Sequence, residues 1–305
     1  MTSGRGEFGR IASFALVAVA FAVVQPLIVI GLPLALLLLT RGPRNLRSAV
    51  ITAAILAGAL LGDRSGLWWI ERGWSLILAG TFVWIVGWRP NWNFSAQALA
   101  AIGMAIVAVS LVLAASPGTW MDIDSLMTAR ASHAAETAAG VLGARADETV
   151  QVLMQRVVKL QVAVFPALLG VSSLGALGVV VGVRKWLAGD SGNAFGRLRN
   201  FRFNDHLVWL WLLGLVVILA PAGEIADRIG ANVVFFMGAL YVVRGMAVLL
   251  SLAGGIPVMA GVIGAIVALL LYPVLVLILA VMLIVGLGDT WLNVRSRVSG
   301  REGGG

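Results

Sequence analysis

The chain has no cysteine and only two histidines, His133 and His206, which lie far apart in the sequence. Without cysteine, disulfide bonds, thiol chemistry and thiolate metal sites are excluded. Two distant histidines leave little material for a histidine-based metal site or for a Ser-His-Asp arrangement. We therefore expect neither a metal nor another cofactor.

Charged residues are scarce as well. They make up 12% of the chain and hydrophobic residues 60%, against about 25% and about 45–50% in soluble domains. A soluble fold of 305 residues does not need so much apolar surface. Because no polar stretch exceeds about 45 residues, we expect one integral membrane domain over 1–305.

Catalytic motifs are also missing. The sequence contains no Walker-type loop, HExxH or GxSxG motif, and these patterns mark nucleotide, zinc-protease and hydrolase chemistry. No carboxylate pair lies inside an apolar stretch. These absences argue against an enzyme and against an ATPase built into this chain.

What the chain does have is long apolar stretches bounded by arginines. Residues 11–40 carry no charged side chain, and 254–288 is a longer uncharged run. Lipid offers no hydrogen-bond partner to the backbone, so such continuous runs must form helices. Prolines break both long runs, and we expect short paired helices at 11–40 and 256–288. The sequence thus predicts an all-α, polytopic membrane helix bundle of about eight to ten membrane segments.

The remaining segments follow from the apolar blocks between these two runs. They are predicted at 48–62, 75–88, 94–115, 161–183, 207–220 and 231–253. The polar stretch 116–159 repeats apolar residues at helical spacing, which predicts an extracytoplasmic amphipathic insertion. The tail 289–305 is basic and ends in three glycines, so we expect it to be partly disordered. Most tryptophans, including Trp74, Trp88 and Trp291, fall near segment ends, which is typical of an aromatic belt.

The charge pattern predicts the orientation. The net charge is +8 and the pI about 11.3, which in a soluble protein would suggest nucleic acid as a partner. In a membrane protein, Lys and Arg collect in cytoplasmic loops instead. With both termini, the 41–47 loop, Arg89 and the 184–206 loop inside, that side holds 14 of the 22 Lys and Arg but five of the 14 acids. We expect a multi-pass protein of the inner (cytoplasmic) membrane with cytoplasmic N- and C-termini. Its partner is then the lipid bilayer and not nucleic acid.

Two residues are candidates for substrate binding. Arg244 lies in the middle of a predicted span, where a charge costs about 2.5–3.5 kcal/mol. It either meets a ligand anion or carboxylate, or it snorkels to the membrane surface. No acid is apparent inside the membrane to pair with it, which favours an external anion. Gln25 is the second candidate, because it lies beside the proline break of the first run, and broken helices in transporters expose backbone groups to substrates.

The end of the chain carries a recognisable pattern. Arg244-Gly245 is followed by a Gly/Pro break and then by Gly-Leu-Gly-Asp-Thr-Trp-Leu-Asn-Val-Arg-Ser-Arg at 286–297. Together with Phe201-Arg202-Phe203 and the broken first run, it resembles the YybS-like family of bacterial predicted membrane proteins, a domain of unknown function. The pattern residues at the end are Asp289, Trp291, Arg295 and Arg297. The resemblance implies an integral membrane protein without assigned catalytic residues.

That family is also similar, in its pattern of short and broken helices, to the substrate-binding subunits of energy-coupling-factor vitamin transporters. This likeness implies a transport-related, substrate-binding membrane subunit without its own ATPase, which needs an energising partner. The alternative is a non-transporting membrane scaffold or envelope-organisation protein. The large basic cytoplasmic surface and the absence of intramembrane acids favour that alternative.

Overall fold

The computed structural model describes residues 31–41, 46–60, 68, 72–115, 118–141, 148–189, 201–221, 223–252 and 272–292. Every regular element in these ranges is helical, which confirms the all-α prediction. The α-helices are α1 (Leu32–Arg41), α2 (Leu46–Leu60), α3 (Trp74–Trp88), α4 (Phe94–Ala115), α5 (Thr119–Val141), α6 (Glu148–Ala163), α7 (Phe165–Leu187), α8 (Val208–Leu219), α9 (Glu224–Leu252) and α10 (Tyr272–Leu292). A short 3₁₀ helix, Asp205–Leu207, directly precedes α8.

Four helices in the described ranges are long and apolar enough to cross a membrane. They are Phe94–Ala115, Phe165–Leu187, Glu224–Leu252 and Val274–Leu292, and Trp74–Trp88 and Asp205–Leu219 are shorter apolar helices. A polytopic helical membrane protein is therefore confirmed. The first part of each proline-broken run, with Gln25, lies outside the described residues, and so the total number of segments stays a prediction.

Contacts divide the chain into two compact units. The first unit comprises Val19–His133 and Leu168–Ser191, and the second comprises Met1–Ala18, Ala134–Ala167 and Gly192–Gly305. The prediction of a single membrane domain is not tested by this division and stays a prediction.

The first unit is built around α3 and α4, whose facing side chains are apolar and small. Leu78 and Phe82 of α3 and Ala101 of α4 are buried. Trp74 is buried as well, and its indole Nε1 donates to Ser173 Oγ at 2.9 Å. The assignment of Trp74 to an aromatic belt is therefore wrong, because its N–H has a partner inside the protein. Trp88 and Trp291 are exposed, as the belt predicts.

The described parts of the predicted insertion at 116–159 are helical except for the turn at Gly118, and α5 shows the expected amphipathic pattern. Ile123, Met127, Ala131 and Ala135 recur every four residues and are buried, whereas Asp122 and Glu136 are exposed. Four-residue spacing places side chains on one face of a helix. The extracytoplasmic position of this segment stays a prediction.

The second unit is organised around α9, which packs against α8 and α10. A Cβ atom added to Gly230 would lie 2.9 Å from the Gly214 carbonyl oxygen of α8, and one added to Gly245 would collide with the Met282 carbonyl oxygen of α10. Glycine at these points lets the helix backbones touch, as is common in membrane bundles.

Helices α9 and α10 run antiparallel. Gly245 meets Met282, whereas Tyr241, one turn earlier, lies against Gly286 and near Thr290. Two full crossings within 256–288 would make the last helix run parallel to α9, so the direction of α10 excludes them. Residues 253–271 lie outside the described residues, and a run that re-enters the membrane stays a prediction. The membrane face on which the tail lies stays a prediction.

Candidate functional site around Arg244

Arg244 is completely buried and holds together three parts of the second unit. Its side chain is 0% exposed. Its Nε donates to Oδ2 of Asp289 on α10 at 3.0 Å, and its Nη1 donates to Oδ1 of Asp205 at 2.5 Å. The guanidinium therefore links α9, α10 and the 3₁₀ helix before α8 by charge-assisted hydrogen bonds, which are stronger than neutral ones. Snorkelling is not how this arginine is accommodated.

The expectation that no acid is available to pair with Arg244 is wrong. The sequence pattern places Asp289 in the basic tail, but α10 continues to Leu292 and buries the Asp289 side chain to 2% exposure. The same pattern places Asp205 in a cytoplasmic loop. Both carboxylates lie at the edge of apolar runs, so the sequence pattern alone did not place them beside the arginine.

The segment from Phe201 to Leu207 covers this cluster. Phe201 and Phe203 are buried, whereas Arg202 and Asn204 between and after them are exposed. Such alternation is what an extended segment with one covered face produces. The Phe203 ring lies 5.5 Å from the guanidinium carbon of Arg244, within cation–π range. Asn204 caps the 3₁₀ helix through its side chain, which accepts from the His206 N–H.

One donor of the guanidinium is left over. Nη2 of Arg244 is buried and has no hydrogen-bond partner among the described residues. The hydroxyl groups of Tyr241 and Thr290 lie close to each other, yet in the described part of the chain neither makes a hydrogen bond of regular geometry. Leaving a buried polar group unpaired costs about 1–3 kcal/mol, more for a charged one. The cluster is therefore polar and incompletely satisfied.

The two acids that pair with Arg244 differ in exposure. Asp205 is 40% exposed, unlike Asp289, and its Oδ2 lies 3.8 Å from the exposed Arg202. Asp205 thus stands between a buried arginine and a solvent-exposed one. It is the exposed partner of Arg244, and Asp289 is the buried one.

Comparison with known proteins places the chain in a family. The sequence profile of the family described as "Predicted membrane protein (DUF2232)" matches residues 11–290. The chain belongs to this family. No curated protein and no solved structure matches the chain. The family is one of predicted membrane proteins of unknown function, which agrees with the predicted resemblance at that level. The YybS-like assignment and the likeness to energy-coupling-factor subunits stay predictions.

The part of the chain shared with the family includes the whole Arg244 cluster. Asp205, Arg244 and Asp289 all fall within the matched 11–290. Trp291, the next pattern residue, is described and exposed. Gln25, Arg295 and Arg297 lie outside the described residues, so the structure does not test whether they approach Arg244. Within the described ranges, no group of three or more His, Cys, Asp or Glu could hold a metal ion.

A second polar arrangement was missed by the sequence reasoning. It lies at the junction of α6 and α7, where Pro166 lacks the N–H that would bond to the Val162 carbonyl. Arg228 Nη2 on α9 donates to that carbonyl oxygen at 3.1 Å. The Asn232 carboxamide inserts into the next position: its Nδ2 donates to the Ala163 oxygen at 2.7 Å, and its Oδ1 accepts from the Ala167 N–H at 2.9 Å.

This insertion explains how a broken helix is tolerated in an apolar protein. Backbone groups freed by a helix break must find other partners in lipid, and Arg228 and Asn232 supply them from α9. The signal available in the sequence was Pro166 within the predicted span 161–183, together with a polar Asn232 in the next long apolar run. The backbone groups of Val162, Ala163 and Ala167 at this break therefore each have a side-chain partner on α9.

Proposed function

We propose that this protein is a substrate-binding membrane subunit of a transport system, with its ligand site at the Arg244 cluster. The chain has no nucleotide-binding loop, so energy for transport would come from a partner protein. The predicted likeness to energy-coupling-factor subunits supports the same division of labour, at the level of fold analogy.

One observation carries the proposal. A completely buried guanidinium lies in a helix of membrane-spanning length, and its Nη2 lacks a partner among the described residues. Ionisable residues within membrane segments usually mark substrate or ion pathways.

The depth of the site supports access by a ligand. Helix α8 has 12 residues and is about 18 Å long, whereas the hydrocarbon core is about 30 Å thick. The adjacent α9 has 29 residues and is about 43 Å long. Because α8 is shorter than the hydrocarbon core is thick, the segment before α8 would reach into the membrane beside α9. Asp205 in that segment is 40% exposed, and a ligand would approach the cluster from this side.

A thermal-shift screen of the detergent-purified protein tests the proposal. The ligands are vitamins, nucleobases and small anions, and the proteins are wild type, Arg244→Ala and the control Arg184→Ala, which removes an exposed arginine. We expect a stabilising ligand whose effect is lost in Arg244→Ala and retained in Arg184→Ala. Arg244→Lys keeps a positive charge without the planar fork, so it serves if Arg244→Ala does not fold.

Two results would count against the proposal. A ligand that stabilises Arg244→Ala as much as wild type places the binding site elsewhere. No stabilising ligand in the whole screen contradicts a substrate-binding subunit and favours the scaffold alternative, whose test is recovery of protein partners by crosslinking.

A further inference from the structure

We infer that the ligand of this site presents a carboxylate group, which binds the Nη1–Nη2 edge of Arg244 in place of Asp205. This inference rests on the proposed function and specifies the substrate class. It assigns different roles to the two acids: Asp289 is the permanent partner of Arg244, and Asp205 is an exchangeable one.

The hydrogen bonds of the guanidinium leave one of its donor groups unused among the described residues. A guanidinium offers two edges for a two-point contact with a carboxylate, and Nη2 belongs to both of them. Arg244 uses Nε for Asp289 and Nη1 for Asp205, while Nη2 has no partner among the described residues. A ligand carboxylate on the Nη1–Nη2 edge would make two hydrogen bonds where Asp205 makes one.

The two acids differ in how easily they leave. Asp289 is 2% exposed and fixed within α10, whereas Asp205 is 40% exposed and lies in a three-residue 3₁₀ helix. Asp205 also has a second cation at hand, since its Oδ2 lies 3.8 Å from Arg202. After displacement, the Asp205 carboxylate would stay paired with Arg202, so the exchange would leave no buried charge without a partner.

The charge of the exchanged group favours a carboxylate over phosphate. Asp205 already shows that this position accepts a planar group of one negative charge. A ligand carboxylate keeps the charge of the buried cluster unchanged. A phosphate monoester brings about 1.5 to 2 negative charges at neutral pH, and it would add negative charge beside the buried carboxylate of Asp289.

Chemical rescue in an Asp205→Ala variant tests the inference. Removing the side chain vacates the Nη1 position of Arg244, and small carboxylates from solution should fill it. We expect sodium formate and acetate to raise the unfolding midpoint of purified Asp205→Ala by about 2–4 °C at concentrations several times the Kd. Sodium chloride at equal ionic strength and the neutral formamide and acetamide should not do so. Asp205→Asn, which nearly preserves the shape, is measured in parallel in case Asp205→Ala does not fold.

Asp227→Ala is the matched control, because Asp227 is an exposed acid on α9 of the same unit. Its midpoint should respond to formate no more than that of wild type. Equal responses of Asp205→Ala to formate, formamide and chloride would overturn the inference, and so would rescue by inorganic phosphate but not by carboxylates.

The metabolite screen separates this inference from the proposed function. A ligand that lacks a carboxylate and still depends on Arg244 leaves the substrate-binding role standing and refutes the carboxylate assignment. A carboxylate ligand should bind Asp205→Asn at least fivefold more tightly than wild type, since the internal competitor is weakened. Unchanged or weaker binding to Asp205→Asn would refute the exchange.

Discussion

At the scale of single residues, the central feature is how the protein accommodates the charge of Arg244. A charge in lipid can be avoided by snorkelling or compensated by partners, and the structure shows compensation by Asp205 and Asp289. Buried ion pairs add little net stability over apolar packing, yet removal of one partner is costly because the other stays buried and uncompensated. The cluster is therefore sensitive to single substitutions.

Asp289→Ala should destabilise the protein by about 3–5 kcal/mol, because it strips Arg244 of its fully buried partner. The measurement is reversible unfolding in detergent, followed by circular dichroism. Asp227→Ala, which removes an exposed acid, should stay within about 0.5 kcal/mol of wild type. The double change Arg244→Met with Asp289→Leu should recover much of the loss. If Asp289→Ala is as stable as its control, the ion pair does not hold α10 to α9.

At the scale of elements, the helices of the second unit depend on two local solutions. One is the side-chain repair of the break at Pro166, and the other is the glycine contacts that bring helix backbones together. Both solve the same problem, because an apolar environment leaves packing and internal hydrogen bonds to hold helices in place.

Asn232→Ala should weaken the junction of α6 and α7. The substitution leaves the Ala163 oxygen and the Ala167 N–H without their side-chain partner, and each unpaired buried group costs about 1–3 kcal/mol. We expect faster amide hydrogen exchange at Ala167 together with lower overall stability. Gln155→Ala on the exposed face of α6 is the control and should change neither. Equal exchange at Ala167 in both variants would show that the carboxamide is dispensable.

Gly286→Ala should separate α9 from α10, since its new Cβ would collide with the Tyr241 carbonyl oxygen. Backbone atoms cannot give way as a flexible side chain can, so we expect a loss of about 2 kcal/mol or more, at the severe end for overpacking. Gly288→Ala, two residues further along α10, adds a Cβ with no neighbour within 4 Å and should be neutral or slightly stabilising. Similar unfolding midpoints for the two variants would contradict the close approach.

At the scale of the whole molecule, the absence of cysteine is an experimental advantage. His206 and Glu224 are both exposed and lie at opposite ends of α8. In single variants His206→Cys and Glu224→Cys, a membrane-impermeant maleimide should label position 206 only from the cytoplasmic face and position 224 only from the outer face. This follows from the arginine-rich loop before α8 and the positive-inside rule. Labelling of both positions from one face would refute the predicted orientation.

Most element positions could be predicted from the sequence, and the site only in part. The predicted spans 75–88 and 94–115 agree closely with α3 and α4, because continuous apolar runs in lipid leave the backbone little choice but to be helical. Arg244 stood out for the same reason, as a charge among apolar residues. Its partners did not stand out, because Asp205 and Asp289 lie at segment ends, where acids are ordinary.

What the sequence determined by itself was the helical membrane character and the residue whose charge needed an explanation. Composition and uninterrupted hydrophobicity are sufficient to predict these two properties. Both properties depend on the free energy of transfer from water to lipid and not on which residues pack together in the fold. The tertiary structure alone decided that Arg244 pairs with Asp205 and Asp289, that Asn232 bonds to the backbone groups freed at Pro166, and that Gly245 and Gly286 touch. Each of these joins residues distant in the chain, and pairing across such distances is set by how helices pack, which local sequence patterns do not record.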